Sequence, residues 1–458
     1  MKCIEDDIPF ELPEGWEWCN LGIITDVCGR IGFRGYTKND LVEKGKGAIT
    51  LSPSNIIDNK MDYSSCTYIS WEKYEESPEI MIQNNDILLV KTGSSYGKSA
   101  FVENLPEKAT INPQFVVLKE TRINPQFLCY FLQSNYAKVK FDKLVVGTAI
   151  PTFSQANLNA MYIAFPGINE QKKIVNKIVE LLKYIDVVND EKECLQSAIL
   201  QTKSKILDLA IRGKLVPQDP NDEPASVLLE RIRAEKEELI KQGKIKRDKK
   251  ESIIFRGDDN SYYQKVGEEI IDISDELPFD IPYSWCWGEL KDILIINPRN
   301  KLEDDMEVAF IPMPMIEDGY SGNHTFEIRK WKDIKNGFTH FKDGDVGIAK
   351  ITPCFENRKS VVFRNLCNGY GAGTTELHVL RPYRDTILPE YLLIYAKTQR
   401  FIEDGKQAFS GAVGQQRIGK EYIETVYFPI PPLREQQRII KHINDLFNYL
   451  NVVENALS

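Results

Sequence analysis

The sequence predicts an α+β fold in which two repeated domains are separated by long, antiparallel α-helices that pair with each other. A motif with two prolines and two tryptophans opens each half of the 458-residue chain. A heptad stripe of apolar residues follows the first half and returns after the second. Short apolar runs typical of β-strands occur in the same order in both halves. Repeats of this length indicate two domains of one fold, related by an approximate two-fold axis.

The opening motif of the first half recurs at the start of the second half. Residues 6–18 contain Asp, Pro, Phe, Pro, Trp and Trp at positions that residues 275–287 match identically. Proline and tryptophan are rare residues, so chance is a poor explanation for the match. The tryptophans are better explained as packing anchors for an entering strand than as functional residues.

A heptad stripe predicts a long helix over residues 170–212 and a second helix at the end of the chain. The residues of the stripe are Ile174, Ile178, Leu181, Ile185 and Val188 in the first helix, and Ile439, Ile443, Leu446, Leu450 and Val453 in the second. Such a stripe buries one edge of a helix against another helix, so we predict that the two helices pair. The alternative is that each helix packs only on its own domain.

Both halves place their other predicted elements in the same order. The predicted strands are residues 87–90 and 115–118 in the first half, and 346–351 and 377–380 in the second. The first strand of each pair carries a lysine, Lys91 or Lys350, and follows an aspartate. A helix capped by Asn124 comes next in the first half, and polar, glycine-bearing loops at 147–155 and 411–417 follow.

Glycine and proline punctuate the middle of the chain. Gly213 and Pro217 end the first long helix, and a second helix is predicted from residue 225 to about residue 243. The predicted organisation is a first domain at 1–166, a helical spacer at 167–250, a linker at 251–274, a second domain at 275–430 and a short C-terminal helix at 431–458.

The composition is that of an ordinary soluble protein, with 42% hydrophobic and 27% charged residues. A net charge of −9 argues against a protein that coats nucleic acid non-specifically, but is compatible with a local DNA-binding face. No apolar run is long enough to cross a membrane, and the acidic N-terminus lacks a signal-peptide layout. We therefore expect a cytoplasmic protein with no membrane partner. Nine cysteines without a CxxC pair and four histidines predict no metal site.

The sequence lacks complete catalytic motifs. Residues 93–99 resemble a phosphate-binding loop, but only three residues separate the glycines, and a strand-like segment follows where a helix is needed. Residues 112–115 and 124–127 lack the second proline of a methyltransferase Asn/Asp-Pro-Pro-aromatic motif. We therefore predict a non-catalytic chain that holds no cofactor of its own.

Four motifs together resemble the specificity subunit of a type I restriction–modification system, over nearly the whole chain. They are Pro-x-x-Trp-x-Trp at the opening of each half, Asp-(Ile/Val)-x-x-x-Lys in its middle, Pro-x-x-x-Glu-Gln at the head of each long helix, and residues 211–225, which are similar to the family's central conserved region. The short second helix and an insertion at 250–269, which has no counterpart in the first half, depart from a symmetric pattern.

The resemblance implies two target-recognition domains, each of which reads one half of a bipartite, non-palindromic site in double-stranded DNA. The long helices would act as a spacer, and their heptad residues would pair the helices and dock two modification (methyltransferase) subunits. Those subunits would methylate adenine with S-adenosylmethionine. Restriction subunits that use ATP and Mg would join the assembly where a system has them.

Polar loops at corresponding places in the two halves are the candidate DNA contacts, because Arg, Asn and Gln make bidentate contacts to guanine or adenine edges. The candidates are Arg30, Arg34, Lys91, Ser95, Tyr96, Lys98 and Thr148 in the first half, and Arg299, Lys350, Asn357, Arg358, Lys359, Gln415, Gln416 and Arg417 in the second.

Two other classes of protein remain as alternatives at this point. One is an interaction scaffold whose repeated domains bind protein rather than DNA, and the other is a fragment of a DNA methyltransferase. Co-purification with a large methyltransferase encoded beside the chain would distinguish the specificity subunit from both.

Overall fold

The structure is a computed structural model that describes residues 10–147, 150–243, 245, 247, 251–412 and 414–457. The chain divides into two compact units, unit 1 (Met1–Asn189) and unit 2 (Asp190–Ser458). Each unit contains one copy of the predicted α+β domain, and one long helix runs through the boundary. In the described ranges, no helix combines the length and apolar character that spanning a membrane requires.

Unit 1 is built around two sheets that share a core. Its described strands are β1 (Trp16–Asn20), β2 (Asp26–Gly29), β3 (Leu41–Val42), β4 (Gly47–Leu51), β5 (Ile56–Ile57), β6 (Lys60–Met61), β7 (Thr67–Ser70), β8 (Met81–Ile82), β9 (Ile87–Val90), β10 (Ser99–Phe101), β11 (Ala109–Ile111), β12 (Phe115–Lys119) and β13 (Tyr162–Pro166). One sheet has the antiparallel order β10-β9-β12-β2, and the other has the order β3-β7-β4-β11-β8 with a parallel β4–β11 pair. A small pair, β1–β13, brings the two ends of the domain together.

The helices of unit 1 pack on its two sheets. They are α1 (Leu21–Ile24), α2 (Trp71–Glu75), α3 (Pro125–Leu132), α4 (Asn135–Leu144), α5 (Gln155–Asn159) and α6 (Ile168–Ile211), which crosses into unit 2. Tyr74 of α2 packs on β4 and β7 of the second sheet, whereas the other helices contribute to the core on one face of the antiparallel sheet. The run of β9 is apolar throughout because both of its faces are buried. Ile87 and Leu89 pack with the helices, whereas Leu88 and Val90 pack toward the second sheet. The predicted start of α3 is confirmed, since Asn124 Oδ1 accepts a hydrogen bond from Phe127 N (3.0 Å).

Unit 2 contains the second copy and some additional elements. Its described strands are β14 (Ser252–Arg256), β15 (Tyr262–Val266), β16 (Glu269–Asp272), β17 (Cys286–Glu289), β18 (Leu294–Ile296), β19 (Glu307–Ile311), β20 (Glu327–Lys330), β21 (Thr339–Lys342), β22 (Val346–Ala349), β23 (Ser360–Val362), β24 (Tyr370–Gly373), β25 (Leu377–Pro382), β26 (Phe409–Ser410), β27 (Arg417–Ile418) and β28 (Tyr427–Ile430). Its helices, besides the second part of α6, are α7 (Ala225–Lys241), α8 (Leu290–Ile293), α9 (Trp331–Ile334), α10 (Pro389–Ala396), α11 (Gln399–Gln407), α12 (Lys420–Thr425) and α13 (Leu433–Leu457).

The sheets of unit 2 repeat those of unit 1, which confirms the predicted duplication. The sheet β23-β22-β25-β18 matches β10-β9-β12-β2, and the parallel pair β19–β24 matches β4–β11. A buried ion pair at the start of the central strand is also repeated. Asp86 bonds to Lys119 (2.7 Å), and Asp345 bonds to Arg381 (2.7 Å). Burial raises the pKa of both aspartates, so the motif aspartate is structural.

Residues 251–274, predicted as a linker, form the three-stranded antiparallel sheet β14-β15-β16. The buried Ser252 hydroxyl oxygen lies 2.7 Å from Asp292 Oδ2 and 3.0 Å from Glu289 Oε2, so its single hydrogen can bond to either carboxylate, and the contact anchors the sheet to the second domain. Ile254 packs into the core of unit 2, but most residues of β15 and β16 are at least partly exposed. Because only one face is partly buried, the sequence carries too weak an apolar alternation to predict these strands.

The Glu-Gln motif at the head of each long helix connects the helix to its domain. The Gln171 side chain donates to Pro166 O (2.7 Å) and accepts from Asn124 N (2.8 Å). Gln436 repeats both contacts, with Pro431 O at 3.1 Å and Leu388 N at 2.8 Å. Each glutamine therefore fixes a strand end and the start of a helix to the first turn of α6 or α13.

Within unit 2, α13 runs antiparallel to the second part of α6. Lys203 pairs with Glu454 near the end of α13 (2.6 Å), whereas Gln218, just beyond α6, bonds to Glu435 in the first turn of α13 (2.5 Å). This confirms the antiparallel order. Among the heptad residues, Ile439 and Ile443 are buried, Ile174, Ile178, Leu446 and Leu450 are half-buried, and Leu181, Ile185, Val188 and Val453 are exposed. A role for the exposed residues in docking stays a prediction.

Candidate nucleic-acid interface

Three loops of unit 1 meet where β9 ends and β12 begins. Lys91 N donates to Gln114 O (2.8 Å), so the turn before β12 lies beside the loop after β9. Thr92 and Thr152 form a β-bridge with their hydroxyl oxygens 2.8 Å apart, and Phe153 N donates to Lys91 O (3.2 Å). We call residues 91–98, 112–114 and 150–153 loop cluster 1.

Unit 2 repeats this arrangement at the end of β22. Lys350 N donates to Glu376 O (3.0 Å), and Ile418 N donates to Lys350 O (2.9 Å). Ile351 and Arg417 form the β-bridge that corresponds to Thr92 and Thr152. We call residues 350–359, 374–376 and 414–417 loop cluster 2. The predicted polar loops of each half are therefore neighbours in space.

Lys91 is a half-buried cation at the centre of loop cluster 1. In the described residues its ammonium group makes no ion pair, and burial lowers its pKa. Gln114, which is neutral, occupies the place that Glu376 has in loop cluster 2. An anion beside Lys91 would favour its charged form, so the site suits a phosphate oxygen.

Loop cluster 2 has a different charge balance. The Arg417 guanidinium binds Glu376 through two hydrogen bonds, of 2.8 and 3.1 Å, and Arg417 holds the pKa of that carboxyl below its usual value. The Arg417 side chain keeps 43% of its surface exposed. Arg417 Nη1 also donates to Gln415 O (3.0 Å), so these contacts together fix the orientation of the guanidinium.

Sequence reasoning missed Gln114 and Glu376. Both residues immediately precede a predicted strand, β12 or β25, and both accept the backbone hydrogen bond of the motif lysine. That shared position was the available signal, but which loops meet at a strand end depends on the sheet order.

Other predicted residues of unit 1 have partners within the protein. Lys98 donates to the Ile56 carbonyl, and the Tyr96 hydroxyl donates to Asp142 (2.9 Å). These contacts fix the turn of loop cluster 1, in which Ser95 is partly exposed. Thr148 lies outside the described residues.

Arg30 and Arg34 lie outside loop cluster 1. Arg30 is buried, and its guanidinium donates to Ile111 O (3.1 and 3.2 Å). Because Ile111 directly precedes the 112–114 turn, Arg30 supports loop cluster 1 from inside, and a direct contact of Arg30 with DNA stays a prediction. Arg34 forms an ion pair with Glu79 (3.4 Å).

In unit 2 the predicted residues divide between two places. Arg299 donates to Phe338 O (3.1 Å) and lines a cleft with Lys342 and Asp345, at the opposite end of β22 from Lys350. The remaining candidates lie in loop cluster 2: Lys350, Asn357, Arg358, Lys359, Gln415, Gln416 and Arg417.

The residues of loop cluster 2 differ in their exposure and in their contacts within the protein. Asn357 and Gln415 are exposed, and Gln416 is half-buried with its carbonyl accepting from Thr352 N (3.0 Å). Lys359 donates to Ile316 O (2.9 Å) and pairs with Asp318 (3.0 Å). The side chains free to read a ligand are therefore at the tips of the loops.

Comparison with known proteins identifies the family. The family described as "Type I restriction modification DNA specificity domain" matches residues 13–197 and 284–457, one match in each half. The chain belongs to this family. The two matches fall on the two repeated domains and on the helices that follow them.

The fraction of this chain that aligns with an individual relative differs from one relative to another. The type I restriction enzyme EcoAI specificity subunit of Escherichia coli is 48% identical over 257 residues, which are 56% of this chain and 41% of that protein. The EcoEI specificity subunit of Escherichia coli is 46% identical over 53% of this chain and 38% of its own length. The chain thus spans about two fifths of the length of these relatives. The EcoKI specificity subunit of Escherichia coli K12 is 22% identical over 98% of this chain and 85% of its own length.

Solved structures of type I systems share the fold. One solved structure concerns the complex assembly and conformational transition of the type I R-M system. Its matching chain has a TM-score of 0.58 at 16% identity, over 98% of this chain and 94% of that chain. The HsdS subunit from Thermoanaerobacter tengcongensis has a TM-score of 0.51 at 17% identity, over 98% and 93% of the two chains.

The side chain at one equivalent position in each specificity domain donates to two backbone carbonyls, but its chemistry differs between the domains. In unit 1 the Gln133 amide donates to Ser99 O (3.1 Å) and Asn59 O (3.4 Å). In unit 2 the equivalent residue is Lys397, whose ammonium donates to Gly319 O (2.6 Å) and Arg358 O (3.0 Å). Burial lowers the pKa of Lys397 to about 7.

We expect Lys397→Gln to remove a pH dependence of stability. Because the folded-state pKa of about 7 lies below the ordinary value of 10.5, folding is penalised where Lys397 is charged. The free energy of unfolding should rise from pH 7 toward pH 10.5, by on the order of 5 kcal/mol, because each pH unit in this range adds about 1.4 kcal/mol. Denaturant unfolding at several pH values measures this rise. The same rise in Lys397→Gln would contradict the assignment, and Lys420→Gln, at an exposed lysine, is the control.

Proposed function

We propose that this chain is the DNA-reading subunit of a type I restriction–modification system. In this proposal it binds double-stranded DNA at a bipartite, non-palindromic site and docks two modification subunits. S-adenosylmethionine belongs to those subunits, and ATP and Mg belong to restriction subunits where the system has them. The chain itself contributes no catalytic group.

The proposal is supported chiefly by one observation: the two loop clusters share a backbone arrangement but present different side chains. Both loop clusters have the same backbone hydrogen bonds around the motif lysine. Their bridging residues differ, since Thr92 and Thr152 in one cluster correspond to Ile351 and Arg417 in the other. A common scaffold with different tips suits two readers of different short sequences.

Shared and variable residues would have different tasks on DNA. Lys91 and Lys350 occupy the same position in both clusters, as expected for contacts to phosphates, which carry no sequence information. Gln114, Arg417 and the loop tips differ between the clusters, as expected for contacts to base edges. The overall charge of −9 restricts favourable binding to such local sites.

An apolar stripe on α6 supports docking of partner subunits. Leu181, Ile185 and Val188 have 49%, 54% and 61% of their surface exposed, although they belong to one heptad stripe. Contiguous exposed apolar residues commonly mark a protein–protein interface. We assign this stripe to the modification subunits.

Lys91→Ala is expected to weaken DNA binding by about tenfold at 0.1 M salt, whatever the sequence. Loss of one phosphate contact should also reduce the slope of log affinity against log salt by about one. The measurement is fluorescence anisotropy with target and unrelated duplexes, using the chain assembled with its modification subunit.

Two comparisons make that measurement decisive. Lys46→Ala removes an exposed lysine that pairs with Glu43 outside loop cluster 1, and should leave affinity and slope unchanged. Gln114→Ala should weaken binding to the target but not to unrelated DNA. Unchanged affinity and salt slope in Lys91→Ala would remove loop cluster 1 from the DNA interface.

A further inference from the structure

The end of α6 and the segment that follows it fill a socket on the second domain. We call residues 206–225 the plug. Its helix end is buried at Leu207, Ala210 and Ile211, in the same core as Trp285. Gly213 ends the helix with a φ of +66°, and a Cβ there would lie 2.3 Å from the Pro282 ring. Only glycine therefore allows the chain to pass so close to the domain.

Polar contacts fix the rest of the plug. Gln218 donates to Glu435 Oε1 (2.5 Å) and accepts from the Ser284 hydroxyl (3.1 Å). Glu435 Oε2 accepts from the Trp285 indole (2.9 Å), and Asp222 pairs with Arg438 (2.5 Å). We call Phe279, Trp285, Glu435 and Arg438 socket 2.

Unit 1 contains the same socket, which we call socket 1. Its residues are Phe10, Trp16, Glu170 and Lys173. The Trp16 indole donates to Glu170 Oε1 (3.2 Å), as Trp285 does to Glu435. The neighbouring aromatic pairs also have nearly equal spacing. The ring centroids of Phe10 and Trp18 are 5.0 Å apart, and those of Phe279 and Trp287 are 5.1 Å apart.

The two sockets differ in what covers them. Trp285 is 3% exposed and Glu435 is fully buried, because the plug packs over them. In socket 1, Phe10 is 47% exposed, Glu170 and Lys173 are exposed, and Trp16 is only half-buried. Within the described part of unit 1 no segment takes the plug's place, and Glu170 Oε2 accepts no hydrogen bond.

We propose that socket 1 binds a second plug, a segment other than residues 206–225. The occupant is an aliphatic helix end closed by glycine, followed by a glutamine and then an acidic residue. The helix end would cover Phe10 and Trp16, the glutamine would donate to Glu170, and the acidic residue would pair with Lys173. This chain's own plug fills socket 2, so the occupant is a different segment. The proposal concerns assembly and does not rest on DNA reading.

The test uses the full chain and a fluorescent peptide with the sequence of residues 203–225. We expect saturable binding that Glu170→Gln weakens by about tenfold, through loss of a charge-assisted hydrogen bond. Phe10→Ala, at a largely exposed side chain, should weaken binding by a similar factor without unfolding unit 1. A peptide with Gln218→Ala should bind the wild-type chain about tenfold less tightly.

Controls distinguish socket 1 from other sites. Glu17→Gln changes an exposed neighbouring carboxylate and should leave binding unchanged. A photo-crosslinker at position 215 of the peptide should label residues 10–18 or 170–173. The proposal is overturned by absence of saturable binding, by binding that both Glu170→Gln and Phe10→Ala leave unchanged, or by crosslinks to residues 279–285 alone.

Discussion

An aspartate in place of Ile443 is expected to unfold unit 2 at neutral pH. The Ile443 side chain is 3% exposed and belongs to the core that α13 shares with the end of α6 and the second domain. A carboxylate there would be desolvated without a partner, and the packing of the isoleucine side chain would be lost. Together these two effects should lower the free energy of unfolding by at least about 3 kcal/mol. Denaturant unfolding and limited proteolysis would detect the change. Wild-type stability in this variant would contradict the assigned core.

Ile185→Asp is the matched control, because it makes the same substitution at a residue of the heptad stripe that is 54% exposed. Its free energy of unfolding should stay within about 0.5 kcal/mol of the wild type. Capture of the modification subunit should nevertheless fall by at least about tenfold, since the new charge would be buried in the docked complex. Normal capture by a folded Ile185→Asp chain would exclude this stripe as the docking surface.

Replacing residues 13–166 by the matching domain of another family member should change one half of the DNA target completely and leave the other half unchanged. Loop cluster 1 is built from hydrogen bonds within that range. The Trp16–Glu170 bond and the Gln171 contacts connect the domain to α6 through motif residues, so an exchanged domain should dock normally.

Sequencing of methylated adenines in cells that carry the exchanged chain and its modification subunit measures this effect. The control exchanges residues 284–430 instead, and should alter the opposite half of the site. A change in both halves after a single exchange, or in neither, would show that the domains do not read independently.

Much of this fold was predictable, because the periodicity of the apolar residues and the internal repeat are both visible in the sequence. The strands around Lys91 and Lys350 and the helix start at Asn124 follow from apolar runs and capping rules. The sheet at 251–274 was not predictable, since its strands bury little surface. The function of the Glu-Gln motif also required coordinates, because Gln171 and Gln436 bond to residues distant in sequence.

The candidate site was predictable at the level of loops but not of side chains. Long polar side chains such as Arg30 and Lys98 look alike in a sequence, whether they face solvent or satisfy buried carbonyls. Gln114 and Glu376 gained their importance only from the sheet order, which brings the turn before β12 or β25 beside the motif lysine.

Mapping adenine methylation in a host that expresses this chain with its modification subunit tests whether the two repeated domains read DNA. We expect methylation at one bipartite site, made of two different short sequences separated by a fixed gap. We also expect that methylation disappears when the chain is omitted. A palindromic or continuous site, or the same methylation without the chain, would contradict the claim that its two repeated domains read DNA.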